Sequence, residues 1–213
     1  QIIVDIDQTG LTAEGDTFEL TEKGYFLGQS GAKGYKLSAA YIGGNASEVI
    51  GFYLDSGNSH CTGRSDDLLK DIKICFKDIS PNSEVIIRAD SGYGSKAFID
   101  ELLESDYKFV VKGYSSATSK NLAEQILWDA WEEVSPGVYV AEYTNRHVYG
   151  DARVVVCEIF TKDGERKYSH LITNIPASKL NAIELFHYIC VSLDSIYYSQ
   201  LYITGKKNIV RGD

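Results

Sequence analysis

The sequence contains no methionine and only three prolines among its 213 residues, whereas glycine occurs 19 times. A chain so poor in proline does not fit the proline-rich disordered or fibrous classes, and 44% hydrophobic residues are enough for one sizeable core. An intact translation product normally begins with methionine, but here Gln1 leads directly into an apolar strand pattern. We therefore expect the chain to be a piece of a longer product.

Positive charge is also in short supply. Lysine and arginine together number 21 against 30 aspartates and glutamates, which gives a formal net charge of −9. Because a protein that binds duplex DNA through its phosphates is expected to be basic somewhere, the bulk charge excludes a simple DNA-binding module. A metal-dependent catalytic core stays open, since bound cations would offset its carboxylates. Basic DNA-holding parts would then lie outside this piece.

Long apolar runs and paired cysteines are missing as well. No run approaches the roughly 18 apolar residues of a membrane span, and no signal peptide is visible. The cysteines form no CxxC pair and no zinc-binding spacing; they are Cys61, Cys75, Cys157 and Cys190. We expect reduced thiols, a cytoplasmic location and no membrane partner.

Hydrophobic periodicity predicts a succession of strands and helices. Residues 9–33 are rich in glycine and threonine and are expected to form a loop or irregular hairpin, whereas 138–173 are expected to form an antiparallel meander. The other predicted strands are 2–7, 35–42, 49–55, 85–87 and 107–112, and the predicted helices are 65–77, 95–105, 121–133 and 178–188, the last capped by Ser178.

Three consecutive strands followed by alternating helices and strands predict an α/β protein with a mixed sheet and flanking helices. This order is similar to the ribonuclease-H-like fold, with an antiparallel β insertion before the last helix. We expect the first part of the core at 1–134, the insertion at 135–175, and a final core helix with an atypical tail at 176–213. Such a fold does not by itself define a function.

The first candidate site is the pair Asp5 and Asp7 in the first predicted strand. Alternation puts both carboxylates on one face, where they repel each other unless a proton or cation intervenes. Mg²⁺ would relieve that repulsion, because it prefers oxygen ligands. The alternative is an exposed strand end carrying two solvated acids.

The second candidate is Asp90, where an apolar strand ends before a glycine-rich bend at 91–94 and a helix. Ligands of α/β sheets gather beyond the carboxyl ends of strands, and glycine allows a close approach of the backbone. The alternative role for Asp90 is that of a turn or capping residue. If both strand ends converge, they suit two-metal phosphoryl transfer, which needs about three carboxylates around ions roughly 3.5–4 Å apart.

Four segments resemble the core of bacterial insertion-sequence transposases of the DDE type: 4–9, 34–37, 87–93 and 107–113. The run Arg-Ala-Asp-Ser-Gly-Tyr at 88–93 is the most specific, and the resemblance covers roughly 1–188. It implies Asp7 as the first catalytic acid, in preference to Asp5, and Asp90 as the second. It also implies Mg²⁺, with Mn²⁺ as a substitute, DNA at transposon ends and target sites as the substrate, and a homodimer of the full-length protein.

The same resemblance implies a third acid, a glutamate on the late helix within a Tyr…Arg-Gln…Ile-Glu motif. The approach to that helix, 174–188, fits the pattern, but 189–213 contain no glutamate and no Arg-Gln pair. The only acids there are Asp194 and Asp213. Our hypothesis is a reading-frame slip or truncation near Tyr188, with substitution by Asp194 as a less favoured alternative. A reading-frame slip or a truncation predicts a chain that lacks activity.

Three functions therefore compete. The chain is an active transposase core whose missing parts lie elsewhere, an inactive remnant that at most interacts with DNA or other proteins, or a nuclease of the same fold. Candidate phosphate contacts are Arg88, Lys96 and Lys112, although solvation or ion pairing is the simpler role for each.

Two further pairs attract attention in the sequence. Trp128 and Trp131 lie three residues apart on a predicted helix, which favours core packing, with stacking on a displaced base as the alternative. His60 beside Cys61 is a possible ligand pair, but nothing nearby in the sequence completes a metal site.

Overall fold

The computed structural model of the chain describes residues 1–190, except 16–17, 27–28, 30, 44–47, 79–82, 146 and 162. The predictions about the tail at 191–213 fall outside the described residues. These include the role of Asp194, the frame-slip hypothesis and the C-terminal end of the predicted division 176–213.

The strands and helices follow one another along most of the chain as the periodicity predicts, and the main exceptions lie at 22–23 and 116–135. The strands are β1 Ile2–Thr12, β2 Glu22–Lys23, β3 Lys33–Ile42, β4 Val49–Ser56, β5 Val85–Ala89, β6 Lys108–Lys112, β7 Glu132–Ser135, β8 Val138–Tyr143, β9 Arg153–Phe160 and β10 Arg166–Thr173. The helices are α1 Ser65–Cys75, α2 Lys96–Glu104, α3 Ser116–Ala123 and α4 Ala182–Cys190, with short 3₁₀ helices at Cys61–Arg64, Ser91–Tyr93 and Trp128–Ala130.

The strands of the described chain form one ten-stranded mixed sheet. Its order is β2-β3-β1-β5-β6-β10-β9-β8-β7, and β4 pairs with β3 beside this path. The central neighbours β1, β5 and β6 are parallel, whereas the meander β7–β10 is antiparallel and joins the sheet where β10 pairs with β6. The predicted α/β fold with a mixed sheet, flanking helices and an antiparallel insertion is confirmed.

Helices cover both faces of the sheet centre. One apolar cluster joins α1, α2 and α3 to the face that carries Ile6 and Ile87, and a second joins α4 to the face that carries Ile86 and Val110. Every residue of β5 is buried, because helices pack on both of its faces. Burying each such aliphatic side chain stabilises the fold by about 1.5–3 kcal/mol, so β5 is a rigid base for whatever follows it.

Three predicted boundaries are wrong. β1 continues to Thr12, since its pairing with β3 runs on to Gly34, so the start of 9–33, predicted as a loop or irregular hairpin, continues the strand. α4 begins at Ala182 rather than near Ser178, because Asn181 and Glu184 cap each other's backbone N–H groups, at 2.9 and 2.8 Å.

The predicted helix at 121–133 is also wrong. The helix α3 is capped by Ser115, six residues before the predicted start at 121, and the Ser115 hydroxyl accepts from the Thr118 N–H. The helix ends at Ala123. Pairing with β8 then draws residues 132–135 into the sheet as β7. A turn at Gly137, whose φ of 78° suits glycine, closes this hairpin.

The two tryptophans consequently do not share a helix face. Trp131 is partly buried and packs against the α1–α3 cluster, as predicted. Trp128 lies in the short 3₁₀ helix and is 88% exposed, so the prediction that it belongs to the core is wrong. Tertiary pairing of β7 overrides the helical spacing on which that prediction depended.

Candidate active site

Asp7 and Asp90 are brought to the same edge by the pairing of two neighbouring parallel strands. Ile6 pairs with Ala89 in the last register of β1 with β5, so the two aspartates are the next residue on each strand. Adjacent strands lie roughly 4.8 Å apart. The carboxylates are close enough for the charge of Asp7 to raise the pKa of Asp90.

The local geometry of Asp90 follows from the glycine-rich bend. Its side chain caps the 3₁₀ helix Ser91–Tyr93, with Oδ1 accepting from the Gly92 N–H at 2.9 Å. Burial raises the pKa of Asp90, and the nearby Asp7 raises it further, whereas the Gly92 N–H and the Lys112 ammonium act in the opposite direction. A half-buried carboxyl held beside a second one is a group that a bound cation would stabilise as the anion.

Asp7 is the exposed member of the pair. Its Oδ1 accepts from the Gln8 N–H at 2.7 Å. The Gln8 side chain donates in turn to the buried Ser38 hydroxyl at 3.0 Å, which ties this part of β1 to β3. Asp7 is therefore oriented by the backbone that follows it while its carboxylate faces outward.

Asp5 has a different environment from Asp7. It is buried, and its two oxygens accept from Arg88 Nε at 2.7 Å and Nη2 at 2.8 Å. The Arg88 guanidinium also lies over the Tyr188 ring of α4, at 5.4 Å from its centroid. Asp5 is thus committed to an internal ion pair, which leaves Asp7 as the exposed carboxylate of β1.

The three side chains predicted to contact phosphate have three different environments. Arg88 is 6% exposed and bound to Asp5, so the prediction that it contacts DNA is corrected to internal ion pairing. Lys96 is exposed on α2 and pairs with Asp100 one helical turn away, at 2.6 Å. Lys112 ends β6 directly after Val111, which pairs with Ala89, so it lies beside Asp90 at the same edge of the sheet, and its charge counteracts the rise in the pKa of Asp90.

Cys61 is a neighbour of the site that the sequence did not indicate. Its Sγ donates to the Gly92 carbonyl at 2.9 Å, and burial together with Asp90 raises the pKa of the thiol. His60 Nδ1 lies 2.9 Å from Thr62 Oγ1 and 3.6 Å from Cys61 Sγ. Only the spatial approach of Gly92 reveals what Cys61 contacts, since the two residues are 31 positions apart in the chain.

A third acidic ligand is not supplied by the described residues. Among them, no three His, Cys, Asp or Glu side chains are grouped so as to hold a metal ion. The end of α4 lies beside the Asp5–Arg88 pair, since Arg88 Nη1 donates to the Tyr188 carbonyl at 3.4 Å. Two neighbouring carboxylates, one with a raised pKa, fit part of a site for a hard divalent cation.

A mixed sheet with paired aspartates beyond two neighbouring parallel strands is the arrangement of ribonuclease-H-like phosphoryl-transfer proteins. The family model described as "Transposase DDE domain" matches residues 1–189, and the chain therefore belongs to the DDE transposase family. This family acts on DNA and depends on divalent metal. A comparison with curated proteins finds no match. None of the described helices has the length and apolar character needed to cross a bilayer.

Proposed function

We propose that this chain is a transposase catalytic core in which Asp7 and Asp90 hold divalent cations, Mg²⁺ or Mn²⁺, for DNA cleavage and strand transfer at transposon ends. The register of β1 on β5, which brings both carboxylates to one edge, carries the proposal. Cations at such a site activate the attacking oxygen and stabilise the leaving one.

The contribution of the protein itself is positioning and charge. The Gln8 and Gly92 N–H groups orient Asp7 and Asp90 before any ligand arrives. Lys112 is the proposed contact to the phosphate at the reacting bond, because it follows Val111 on β6 as Asp90 follows Ala89 on β5, and Val111 and Ala89 pair. Lys96 stays a predicted contact further along the DNA.

We further propose that the chain as given is inactive in strand transfer. A two-ion site needs about three carboxylates, and the described residues contribute two. The chain then acts at most as a remnant that interacts with DNA or with intact copies, and the full-length transposase is a homodimer. Metal-dependent nicking of a supercoiled plasmid would contradict the inactive state. Dependence of that nicking on defined terminal repeats would then distinguish a transposase from a nuclease of the same fold.

The cation site is tested by titration of the protein with Mn²⁺, followed by electron paramagnetic resonance of the free ion. We expect weak binding by the natural chain and at least about tenfold weaker binding by Asp7→Asn and Asp90→Asn, because each loses a ligand charge. Asp100→Asn is the matched control, since Asp100 is a partly exposed acid that pairs with Lys96 on α2. Equal affinities in all four proteins would remove the assignment of the site.

An aromatic groove beside the insertion is the proposed contact for an unpaired base of the DNA. Its volume is about 420 Å³. The residues that line it are Ala123, Glu124, Ile126, Trp128, Trp131, Tyr139, Glu158, Phe160, Arg166 and Tyr168. Aromatic rings stack on bases with little regard to sequence. The Arg166 guanidinium lies 5.1 Å from the centre of the Phe160 ring and pairs with Glu158 at 3.5 Å, so stacking rather than net positive charge supports the proposal.

Trp128→Ala is expected to weaken binding of a single-stranded oligonucleotide by about 1–3 kcal/mol, which is about 5- to 150-fold. The reason is that Trp128 is the most exposed ring of the groove. Fluorescence anisotropy at low salt measures the affinity. Leu127→Ala is the control, because Leu127 is a neighbouring exposed apolar side chain without a ring to stack. A loss of the same size in both variants would show that stacking is not involved.

A further inference from the structure

We propose that Cys61 is a positioning residue for Asp90, and that its thiol holds Gly92 in the orientation in which the Gly92 N–H meets the Asp90 carboxylate. The inference rests on the proposed function, because it assumes that Asp90 binds a cation. It assigns a role to a side chain from a different part of the fold, 29 positions before Asp90.

Gly92 is held from both of its ends. Its carbonyl accepts from Cys61 Sγ at 2.9 Å, and its N–H donates to Asp90 Oδ1 at 2.9 Å. A chain of two hydrogen bonds therefore links the thiol to the carboxylate through a single residue. Because that residue is a glycine with no side chain to anchor it, these two bonds define its orientation.

The packing around Gly92 is tight enough to transmit a change at Cys61. A Cβ on Gly92 would lie 2.9 Å from Cys61 Sγ and 3.0 Å from Asp90 Oδ1, so thiol and carboxylate approach the same face of the glycine. The next residue, Tyr93, is fully buried, and its N–H donates to the Asp90 carbonyl at 3.2 Å. The bend therefore cannot move away from Cys61 as a whole without unpacking Tyr93.

The thiol donates to the Gly92 carbonyl, which lies closer to Sγ than His60 Nδ1 does, at 2.9 against 3.6 Å. Cys61 is 9% exposed and opens the 3₁₀ helix that precedes α1. Removing its S–H leaves the Gly92 carbonyl without this partner, and rotation of the bend would let the carbonyl bond to water instead. Rotation of Gly92 withdraws its N–H from Asp90. Outer partners of metal-binding carboxylates affect affinity by about 10- to 100-fold when they are lost.

The test compares Mn²⁺ binding by electron paramagnetic resonance in the full chain and its variants. Cys61→Ala is expected to weaken binding about tenfold, and Cys61→Ser, whose hydroxyl still donates, to restore it to within about twofold of the natural chain. Cys75→Ala is the control for loss of a thiol, because Cys75 is exposed. In an Asp90→Asn background Cys61→Ala should have no further effect, whereas in Asp7→Asn it should keep its tenfold effect.

These outcomes separate the two proposals. If Asp7→Asn and Asp90→Asn bind Mn²⁺ as the natural chain does, the proposed cation site is wrong. If those two variants lose binding but Cys61→Ala does not, or if Cys61→Ser is as weak as Cys61→Ala, the positioning role is overturned while the site stands. Circular dichroism shows whether each variant is folded. Should Cys61→Ala unfold, Cys61→Val, which fills the volume without a donor, replaces it under the same criteria.

Discussion

Replacing Arg88 by leucine is expected to lower the free energy of unfolding by about 3–5 kcal/mol. Arg88 and Asp5 are buried together, with side chains 7% and 6% exposed, and form two hydrogen bonds with each other. Leucine leaves the Asp5 carboxylate in the interior without its counter-charge. The cost of this uncompensated charge exceeds the gain from the apolar side chain.

The effect is large because Arg88 connects three elements. It lies on β5, binds Asp5 of β1, and places its guanidinium over Tyr188 of α4. Asp5 and Arg88 pair with each other in the register of β1 with β5, two residues before Asp7 and Asp90 in the chain. We therefore expect Arg88→Leu to disturb the candidate site as well as the stability.

Urea denaturation followed by circular dichroism measures this change. The control is the double variant Asp5→Leu/Arg88→Leu, which removes both charges and should recover most of the loss, because apolar replacement of a whole buried pair is often neutral. A loss below about 1 kcal/mol in Arg88→Leu would mean that water reaches Asp5, since exposed ion pairs are worth no more than that.

Acidification from pH 6.5 to 4 is expected to remove about 3 kcal/mol of stability through His170 alone. His170 is fully buried, with Nδ1 at 2.8 Å from the Ser119 hydroxyl and Nε2 at 2.9 Å from the Tyr149 hydroxyl. Burial lowers the pKa of His170 from 6.5 to about 4. Burial removes the hydration that a charged imidazolium needs, so the folded chain keeps the ring neutral.

The sign of the change in stability with pH follows from the number of protons that the folded and the unfolded chain bind. Between pH 4 and 6.5 the unfolded chain binds a proton at this position and the folded chain does not, so stability rises with pH. The contribution is fully present above pH 6.5 and is lost as the pH falls through this window towards about 4. Carboxyl groups titrate over part of the same range, so the contribution of His170 is obtained only as a difference between variants.

The matched variant is His170→Phe, which keeps a ring but does not titrate. It should be less stable at pH 7 because it leaves the Ser119 and Tyr149 hydroxyls without this partner. Between pH 6.5 and 4, the free energy of unfolding should fall by about 3 kcal/mol less in this variant than in the natural chain. Parallel pH profiles of the two proteins in urea denaturation would show that His170 is already charged, or exposed, in the fold.

Elements whose signal lies within a few consecutive residues were predictable. β5 is a short apolar run that ends at Asp90 before glycines, and α2 has a Ser95 cap followed by a regular apolar stripe. Both form as the pattern predicts, because helices or neighbouring strands reinforce the local preference on every side. The predicted convergence of Asp7 and Asp90 also depended on a simple rule, that parallel strands end at a common edge.

Elements decided by competition between local and distant contacts were not predictable. Residues 132–135 lie in a helical pattern but form β7, because β8 supplies a sheet edge for them to pair with. Trp128 becomes exposed as a result. A tertiary contact that replaces a local one leaves no trace in the spacing of apolar residues.

The sequence by itself determined the α/β class and the family, and it predicted the two aspartates of the candidate site, since each depends on short motifs or on strand order. Only the tertiary structure decided which acid of β1 is internal, because the Asp5–Arg88 pair joins residues 83 positions apart. The contact of Cys61 with Gly92, across 31 positions, is of the same kind. Such contacts depend on the register between strands and on how the surrounding elements pack, and neither can be predicted from a few consecutive residues.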